Sequence, residues 1–338
     1  MSDAVEPPTR ICLLPGDGIG PEVVEQGARV LEALRLPLEF TRAEVGYGAY
    51  QKTGSPLPEE TIAAIRGSRA ALFGAVTTPP NIPGYFSPVI RMRRTFDLYA
   101  NLRPCRSIPH PISRPEISML IVRENTEDLY AGIERVEENG ERAVGEMVIT
   151  RRASARIARK AFQLARENGV HQVTIVHKAN VLRETCGLFL RTALEVAAEF
   201  PEITAREMLV DTCAMELVRD PAQFEVIVTT NMFGDILSDE ASMLVGGLGM
   251  ACSGNIGEEA AIFEPVHGSA PGLVGTHSAN PMATILSAAM LLDFIGCPEQ
   301  AQRVRAAVDV LLRERLVTPD LGGSLSTSQV TDMLIERL

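Results

Sequence analysis

Short apolar runs alternate with stretches of helical period along the whole chain, and this alternation narrows the fold more than any other feature. ICLLPG, from Ile11, stops at Pro15 and Gly16. PEVVEQGARVLEAL follows with helical spacing, and Pro21 suits a first helical turn. LEFTRAEVG reads as a strand, PEETIAAIRGS as a helix and RAALFGAV as a buried strand. This βαβαβ rhythm predicts an α/β fold. In the middle, ISMLIVREN and HQVTIVHKAN are strands, with further strands near MLVDTC and FEVIVTTN. EMVITRRASARIARKAFQLARENG opens as a strand and becomes a helix ending at Gly169; another helix surrounds TALEVAAEF. The last third holds a Gly-rich region (Val245 to Gly257), a loop FEPVHGSAPG and two helical runs, ANPMATILSAAMLLDFIG and EQAQRVRAAVDVLLRERL. The 338 residues suffice for two domains, or for one large domain with an insertion.

Composition removes several function classes. A net charge of −11 argues against a nucleic-acid partner, which needs a basic face. No apolar run reaches the roughly 18 residues of a membrane span, and MSDAVEPPTR lacks the basic-then-apolar order of a secretory leader. A cytoplasmic protein is the expectation. The six cysteines are scattered without a CxxC pair, so free thiols are expected rather than zinc or redox motifs.

GDGIGPE resembles a dinucleotide fingerprint, but Pro21 stands where G-x-G-x-x-G needs its last glycine. The glycines are better read as a strand-to-helix turn. Four strands end in polar residues: Arg123, Glu124 and Asn125; His177, Lys178 and Asn180; Asp211; Asn231 with Asp235. Ligands of open α/β sheets bind beyond the carboxyl ends of strands, so one shared cleft is expected. In TTNMFGDILSDE, a helix starting near Gly234 puts Asp235 and Asp239 one turn apart on one face. Asp235 either complements the helix N-terminus or forms with Asp239 a hard-oxygen pair for Mg²⁺ or Mn²⁺, with Asp211 as a third ligand. Arg93, Arg103 and Arg123 are either solvated or a clamp for carboxylates. Lys178 is a base if desolvated and otherwise half of a salt bridge. Tyr130 is an acid or a packed hydrogen-bonder.

GDGIGPE, FDLYANLRP, VRENTEDLYAG, HKAN, DTCAMELV, TTNMFGDILSDE, GGLGMACSGNIG, FEPVHGSAP, ANPMATILSAAM and TPDLGG occur in the order found in the β-decarboxylating dehydrogenases, which include isocitrate, homoisocitrate and 3-isopropylmalate dehydrogenases. The resemblance runs from Ile11 to about Ile335. It is strongest to the homoisocitrate enzymes, in DTCAMELV and IPGYFSPVIRMRRTFDLYANLRP. It implies a two-domain α/β fold of the isopropylmalate/isocitrate dehydrogenase type, not a Rossmann fold. Residues 1–95 with 245–338 would form the larger, cofactor-side domain, and 96–244 the smaller domain, which makes the dimer and holds metal and substrate. Asp211, Asp235 and Asp239 would hold Mg²⁺ or Mn²⁺. Arg93, Arg103 and Arg123 would bind the malate carboxylates, and Tyr130 and Lys178 would be the acid–base pair. Lys178 and Asp211 would come from the neighbouring subunit of a homodimer or dimer of dimers. His267, Gly268, Ser269, Ala270 and Asn280, with Asn180, would bind the cofactor. The implied reaction oxidises a 2-hydroxy acid and then expels CO₂ from its C3 substituent.

Two positions depart from the family pattern. The aspartate that commonly follows HGSAP in NAD-using members is Gly272 here, and Leu273 replaces the tyrosine of NADP-using ones. NAD is still expected, held weakly. Ile90 stands where homoisocitrate enzymes carry an arginine, which suits an isopropyl group. Ser87 matches the hydroxyl that isocitrate enzymes offer a carboxylate. A mixed pocket of broad specificity is expected, because an unpaired carboxylate buried against Ile90 is unfavourable. The rival readings are a 3-isopropylmalate dehydrogenase of leucine synthesis and, from another class, an inactive regulatory subunit. The second conflicts with the presence of Tyr130, Lys178 and all three aspartates.

Overall fold

The computed structural model describes residues 7–79, 82 and 85–338. In chain order its main elements are β1 (Thr9–Gly16), α1 (Gly20–Ala33), β2 (Leu38–Arg42), α2 (Tyr47–Thr53), α3 (Glu59–Arg66), β3 (Ala70–Ala75), α4 (Pro88–Thr95), β4 (Ala100–Arg106) and β5 (Ser118–Glu124). Then come β6 (Glu134–Glu137), β7 (Arg142–Gly145), α5 (Arg151–Glu167), β8 (Gln172–His177), α6 (Thr185–Ala197), β9 (Thr204–Leu209), α7 (Val210–Arg219), β10 (Val226–Thr229) and α8 (Asn231–Leu244). The chain closes with β11 (Cys252–Ile256), β12 (Ala261–Pro265), α9 (Met282–Phe294), α10 (Pro298–Glu314) and α11 (Thr327–Ile335).

One 10-stranded sheet has the order β2-β1-β3-β12-β11-β4-β5-β10-β8-β9, and β6 pairs with β7 in a separate ribbon. Both flanks are parallel, as the alternating strands and helices require. The centre is antiparallel: β11 pairs with β12 and β4, and β4 with β5. An antiparallel centre between parallel flanks is not the arrangement of a doubly wound dinucleotide fold.

The helices cover the sheet through apolar stripes. On α5, Ile157, Ala158, Ala161, Phe162 and Ala165 are buried, and Phe162 stacks on Phe200 with ring centroids 5.5 Å apart. Truncating such a fully buried phenylalanine to alanine costs about 3–5 kcal/mol. Helix α9 is apolar on nearly every side, and it is packed between α1, α10 and the strands.

Three local expectations are corrected. Glu146–Thr150 is not a strand; only Val148 makes a bridge, to Asp128, and Thr150 caps α5 by accepting from Ala153 N at 3.1 Å. The strand near MLVDTC ends at Leu209, and Asp211 lies in the first turn of α7, because Cys213 and Leu217 bury at helical spacing. Helix α8 starts at Asn231 rather than near Gly234. Gly234 lies inside it because Arg123 passes there: a Cβ at Gly234 would sit 2.6 Å from Arg123 Cγ.

The GDGIG turn is filled by protein. Gly16 and Gly18 have φ of 76° and 64°, and a Cβ on Gly18 would lie 2.0 Å from Ser269 O. The Asp17 carboxylate accepts from the backbone N–H groups of Tyr47, Gly48 and Thr77 at 2.7–2.9 Å.

Candidate active site

The polar ends of β4 and β5 and the first turns of α8 converge. Arg123, at the end of β5, is 1% exposed. Its Nε and Nη2 donate to Asn231 Oδ1 at 3.0 and 2.7 Å, and its Nη1 donates to Asp235. Arg103, on β4, donates to Asn101 Oδ1 (2.7 Å), Ser238 Oγ (2.6 Å), Asp239 Oδ1 (3.1 Å) and Asp235 Oδ1 (3.1 Å). Tyr130, in the short 3-10 turn Leu129–Ala131, donates its hydroxyl to Asp235 Oδ2, and its ring lies 5.1 Å from the Arg123 guanidinium carbon.

Charge repulsion and burial tune this cluster. Burial, then the neighbouring Arg103 and Arg93, push Arg123 down to about 9 despite Asp235. Burial alone would raise Asp235, but Arg123 and Arg103 outweigh it and hold the carboxyl below its ordinary range. Burial raises Asp239, against the pull of Arg103. Burial and the bond to Asp235 raise Tyr130, so its hydroxyl keeps its proton at neutral pH.

Helix α4 forms the facing wall. Ser87 caps it, accepting from Ile90 N at 3.5 Å, which leaves the hydroxyl proton available to a ligand. Arg93 is buried; Nη2 donates to Glu264 Oε1 at 3.4 Å, while Nε is buried without a partner. A cavity of about 150 Å³ lies here, lined by Val89, Arg93, Arg103, Glu264, His267 and Gly268 among others. A buried guanidinium with an unsatisfied donor is what a cleft awaiting an anion should contain.

Lys178 and Asp211 lie elsewhere in this chain. Lys178 Nζ donates to Asp211 Oδ1 at 2.6 Å, and that bond is the main cause holding Asp211 low. Both border an apolar groove with Val181, Leu182, Phe233 and Ile236. Among the described residues no group of three acidic, His or Cys side chains could hold a metal, so Asp211 does not join Asp235 and Asp239 within one chain. The α8 pair fits a divalent ion by chemistry: two hard carboxylates one turn apart, Asp239 half exposed.

The loop after β12 closes the cavity. His267 Nδ1 contacts Gly268 O at 3.0 Å, its Nε2 is buried without a partner, and burial lowers its affinity for a proton. Ser269 accepts from Thr77 Oγ1 at 2.8 Å, and its carbonyl accepts from Ile19 N at 3.0 Å. Ala270 takes a left-handed φ of 39°. Asn280 is tied to Asp320 (2.9 Å) and to Met282 N (2.9 Å). Asn180 is exposed beyond β8, away from this loop in sequence and sheet position.

Residues 10–334 match the isocitrate/isopropylmalate dehydrogenase family. The isocitrate/homoisocitrate dehydrogenase of Thermus thermophilus is 51% identical over 97% of this chain and 98% of its own length. The chain belongs to the isocitrate/isopropylmalate dehydrogenase family. The 3-isopropylmalate dehydrogenase of Methanothermobacter thermautotrophicus is 48% identical over 97% of this chain and 98% of its own. The solved isocitrate dehydrogenase of Methylococcus capsulatus superposes with a TM-score of 0.94 at 43% identity, covering 97% of this chain and 99% of that one. Members of this family are decarboxylating dehydrogenases, oxidoreductases acting on 3-substituted malates. The fold is therefore the α/β fold of these dehydrogenases and not a Rossmann fold.

In this dehydrogenase framework several residues position the site without a local sequence signal for that role. Asn255 Oδ1 accepts from Asn101 (3.0 Å) and Asn125 (2.9 Å), and its amide holds Glu264 at 2.7 Å, linking β4, β5, β11 and β12 behind the arginines. Asp128 is fully buried and accepts from Met232 N at 2.9 Å, capping α8 from a distant loop. The only sequence signal for Asp128 is an acidic residue in a turn. Its partner lies 104 residues away.

Proposed function

We propose that this chain is an NAD-dependent dehydrogenase that oxidises and decarboxylates 3-substituted malates of the homoisocitrate type, with tolerance for isocitrate and 3-isopropylmalate. The carrying observation is the cluster in which the Tyr130 hydroxyl, Arg103 and Arg123 meet at the Asp235 carboxylate, with Arg93 lining the adjoining cavity. Arg93, Arg103 and Arg123 bind the carboxylates on C1 and C3, exchanging their present partners for the substrate. Asp235 and Asp239, with Asp211 of a second copy, hold Mg²⁺ or Mn²⁺. When bound, the ion would supply Lewis acidity and NAD a hydride acceptor. Lys178, paired with Asp211, takes the hydroxyl proton. The C3–carboxylate bond then breaks, CO₂ leaves, and Tyr130 gives its proton to C3.

The second copy is part of this reading. Val181, Leu182 and Ile236 expose an apolar surface next to Lys178 and Asp211, and an exposed patch of this kind marks an interface. A homodimer, or a dimer of dimers, would cover it and bring Lys178 to its neighbour's cleft. The domain division proposed is 1–95 plus 245–338 against 96–244, which cuts the sheet between β11 and β4. His267, Gly268, Ser269, Ala270 and Asn280, with Asn180, are assigned to the cofactor. Among the described residues no helix is long and apolar enough to cross a membrane; a cytoplasmic location is proposed.

A second substrate reading, 3-isopropylmalate, is favoured by Ile90. Initial rates of NADH formation with Mg²⁺ and homoisocitrate, isocitrate or 3-isopropylmalate, with NADP⁺ as the control, decide between them. A kcat/KM highest for homoisocitrate or isocitrate supports the first reading, in which Ser87 and the arginines hold the distal carboxylate. A large preference for 3-isopropylmalate replaces it with the second. No oxidation of any of the three removes both and leaves the regulatory-subunit reading.

A further inference from the structure

Arg94 follows Arg93 on α4, yet its guanidinium turns to the opposite side of the cleft. Nη2 donates to the carbonyls of Tyr130 and Ala131, each at 2.7 Å. No other hydrogen bond among the described residues joins α4 to the 3-10 turn that carries Tyr130. The two carbonyls end that turn, where they lack helical partners and attract a cation. Tyr130 is thus held at three points. Its hydroxyl is fixed by Asp235 and its ring by Arg123, and both come from the same side of the site as the turn. Only the backbone bonds come from the helix that bears Ser87, Ile90 and Arg93.

We propose that Arg94 is a positioning residue that sets the distance between the substrate-binding helix α4 and the Tyr130 hydroxyl. This rests on the assignment of Tyr130 as the proton donor. The geometry gives the reason. A substrate gripped by Arg93 is referenced to α4, whereas Tyr130 is referenced to β5 and α8. Proton transfer needs the two within hydrogen-bond reach, and a misplacement of about 1 Å lowers rate by about 100-fold. Arg94 spans the two frames directly. As it is exposed and donates only to backbone oxygens, its loss leaves the charge of the cleft floor in place.

The test uses the full-length enzyme with Mg²⁺. The 2-oxo acid product of its best malate substrate (2-oxoadipate, 2-oxoglutarate or 4-methyl-2-oxopentanoate) is incubated in D₂O, and deuterium entry at C3 is followed by NMR. That exchange reports proton transfer at C3 without hydride transfer. Arg94→Ala is expected to slow exchange by about tenfold to 100-fold with KM within about twofold of wild type. Arg94→Lys, which keeps a donor, is expected to recover part of the loss. In a Tyr130→Phe background, Arg94→Ala is expected to add nothing, since the group it positions is gone. A general loss of fold would instead lower both backgrounds alike, together with the melting temperature. Exchange unchanged in Arg94→Ala, a change confined to KM, or full additivity with Tyr130→Phe each overturns the proposal. If wild type oxidises no 3-substituted malate, the proposed function itself fails. If wild type is active and Arg94→Ala matches it, only the role of Arg94 fails.

Discussion

At the residue scale, the informative positions are those where an ordinary side chain stands in an unusual place. Ile90 lies on α4 one turn before Arg93 and beside the Ser87 cap. An arginine there would give a distal carboxylate a charged partner. Ile90→Arg is expected to move the ratio of kcat/KM for homoisocitrate over 3-isopropylmalate upward by about tenfold or more. An unchanged ratio in parallel assays would show that Ile90 does not face the substituent. Gly272 is the second such position. It lies in the short turn Pro271–Leu273, and a Cβ there meets no heavy atom within 4 Å. Gly272→Asp should therefore fold normally and tighten NAD binding by about tenfold, or about 1.4 kcal/mol. Fluorescence titration of NADH against both proteins reads this directly, and equal dissociation constants would count against a cofactor ribose at this turn.

At the element scale, α8 carries both Asp235 and Asp239, so its N-terminus fixes the centre of the site. Its N-cap residue Thr230 makes no side-chain cap; the donor at Met232 N is instead satisfied by Asp128. Asp128 itself has φ 73° and ψ −151°, a strained conformation held by the bonds its carboxylate accepts from Leu129 N and Met232 N. Asp128→Ala is expected to cost about 1–3 kcal/mol in urea unfolding, because it strands a buried N–H and strains the turn. Asp128→Asn, which keeps one of the two acceptor oxygens that now take Leu129 N and Met232 N, should retain part of that stability. Equal losses for both variants would mean that charge, not capping geometry, is what α8 needs. Helices were more legible in the sequence than strand ends. The stripe Ile157, Phe162, Ala165 announces α5 by its period, whereas Glu146–Thr150 looked extended and had no neighbour to pair with beyond one bridge. Pairing partners are set by the sheet, not by the strand.

At the scale of the whole molecule, two predictions concern contacts between distant parts. If Lys178 serves a neighbour's cleft, Tyr130→Phe and Lys178→Met subunits complement one another. Mixing the two inactive proteins under subunit exchange should restore about a quarter of wild-type activity, since half of the dimers then hold one intact site. No recovery, with exchange verified by mass, would place Lys178 in the cleft of its own chain or outside it. The second contact joins the loop after β4 to the end of α10, where Arg315 Nη1 lies 3.1 Å from His110 Nε2. Arg315 can only donate, so the bond needs a neutral imidazole. Burial, then Arg315, holds the folded His110 below its ordinary 6.5. Below that value the unfolded chain binds more protons than the folded one, so this contribution to stability is present at neutral pH. It is lost as pH falls toward the folded value. Melting temperatures between about pH 7 and about pH 5 should fall more steeply for wild type than for His110→Gln; parallel slopes would exclude His110 as a source.

The sequence by itself determined the α/β class, the helices and the residue types of the site, because period and strand-end chemistry are local properties written in neighbouring residues. It also marked Asp235 and Asp239 as a pair, since helical spacing alone places them one turn apart. Tertiary structure alone decided that Arg103 and Arg123 both grip Asp235, that three asparagines lock Glu264 behind the arginines, and that Arg94 reaches across to the Tyr130 turn. Apart from the bond between Asn255 and Glu264, those contacts join residues 36 to 154 positions apart. Their existence depends on the order and direction of strands in the sheet, which no short stretch of sequence specifies.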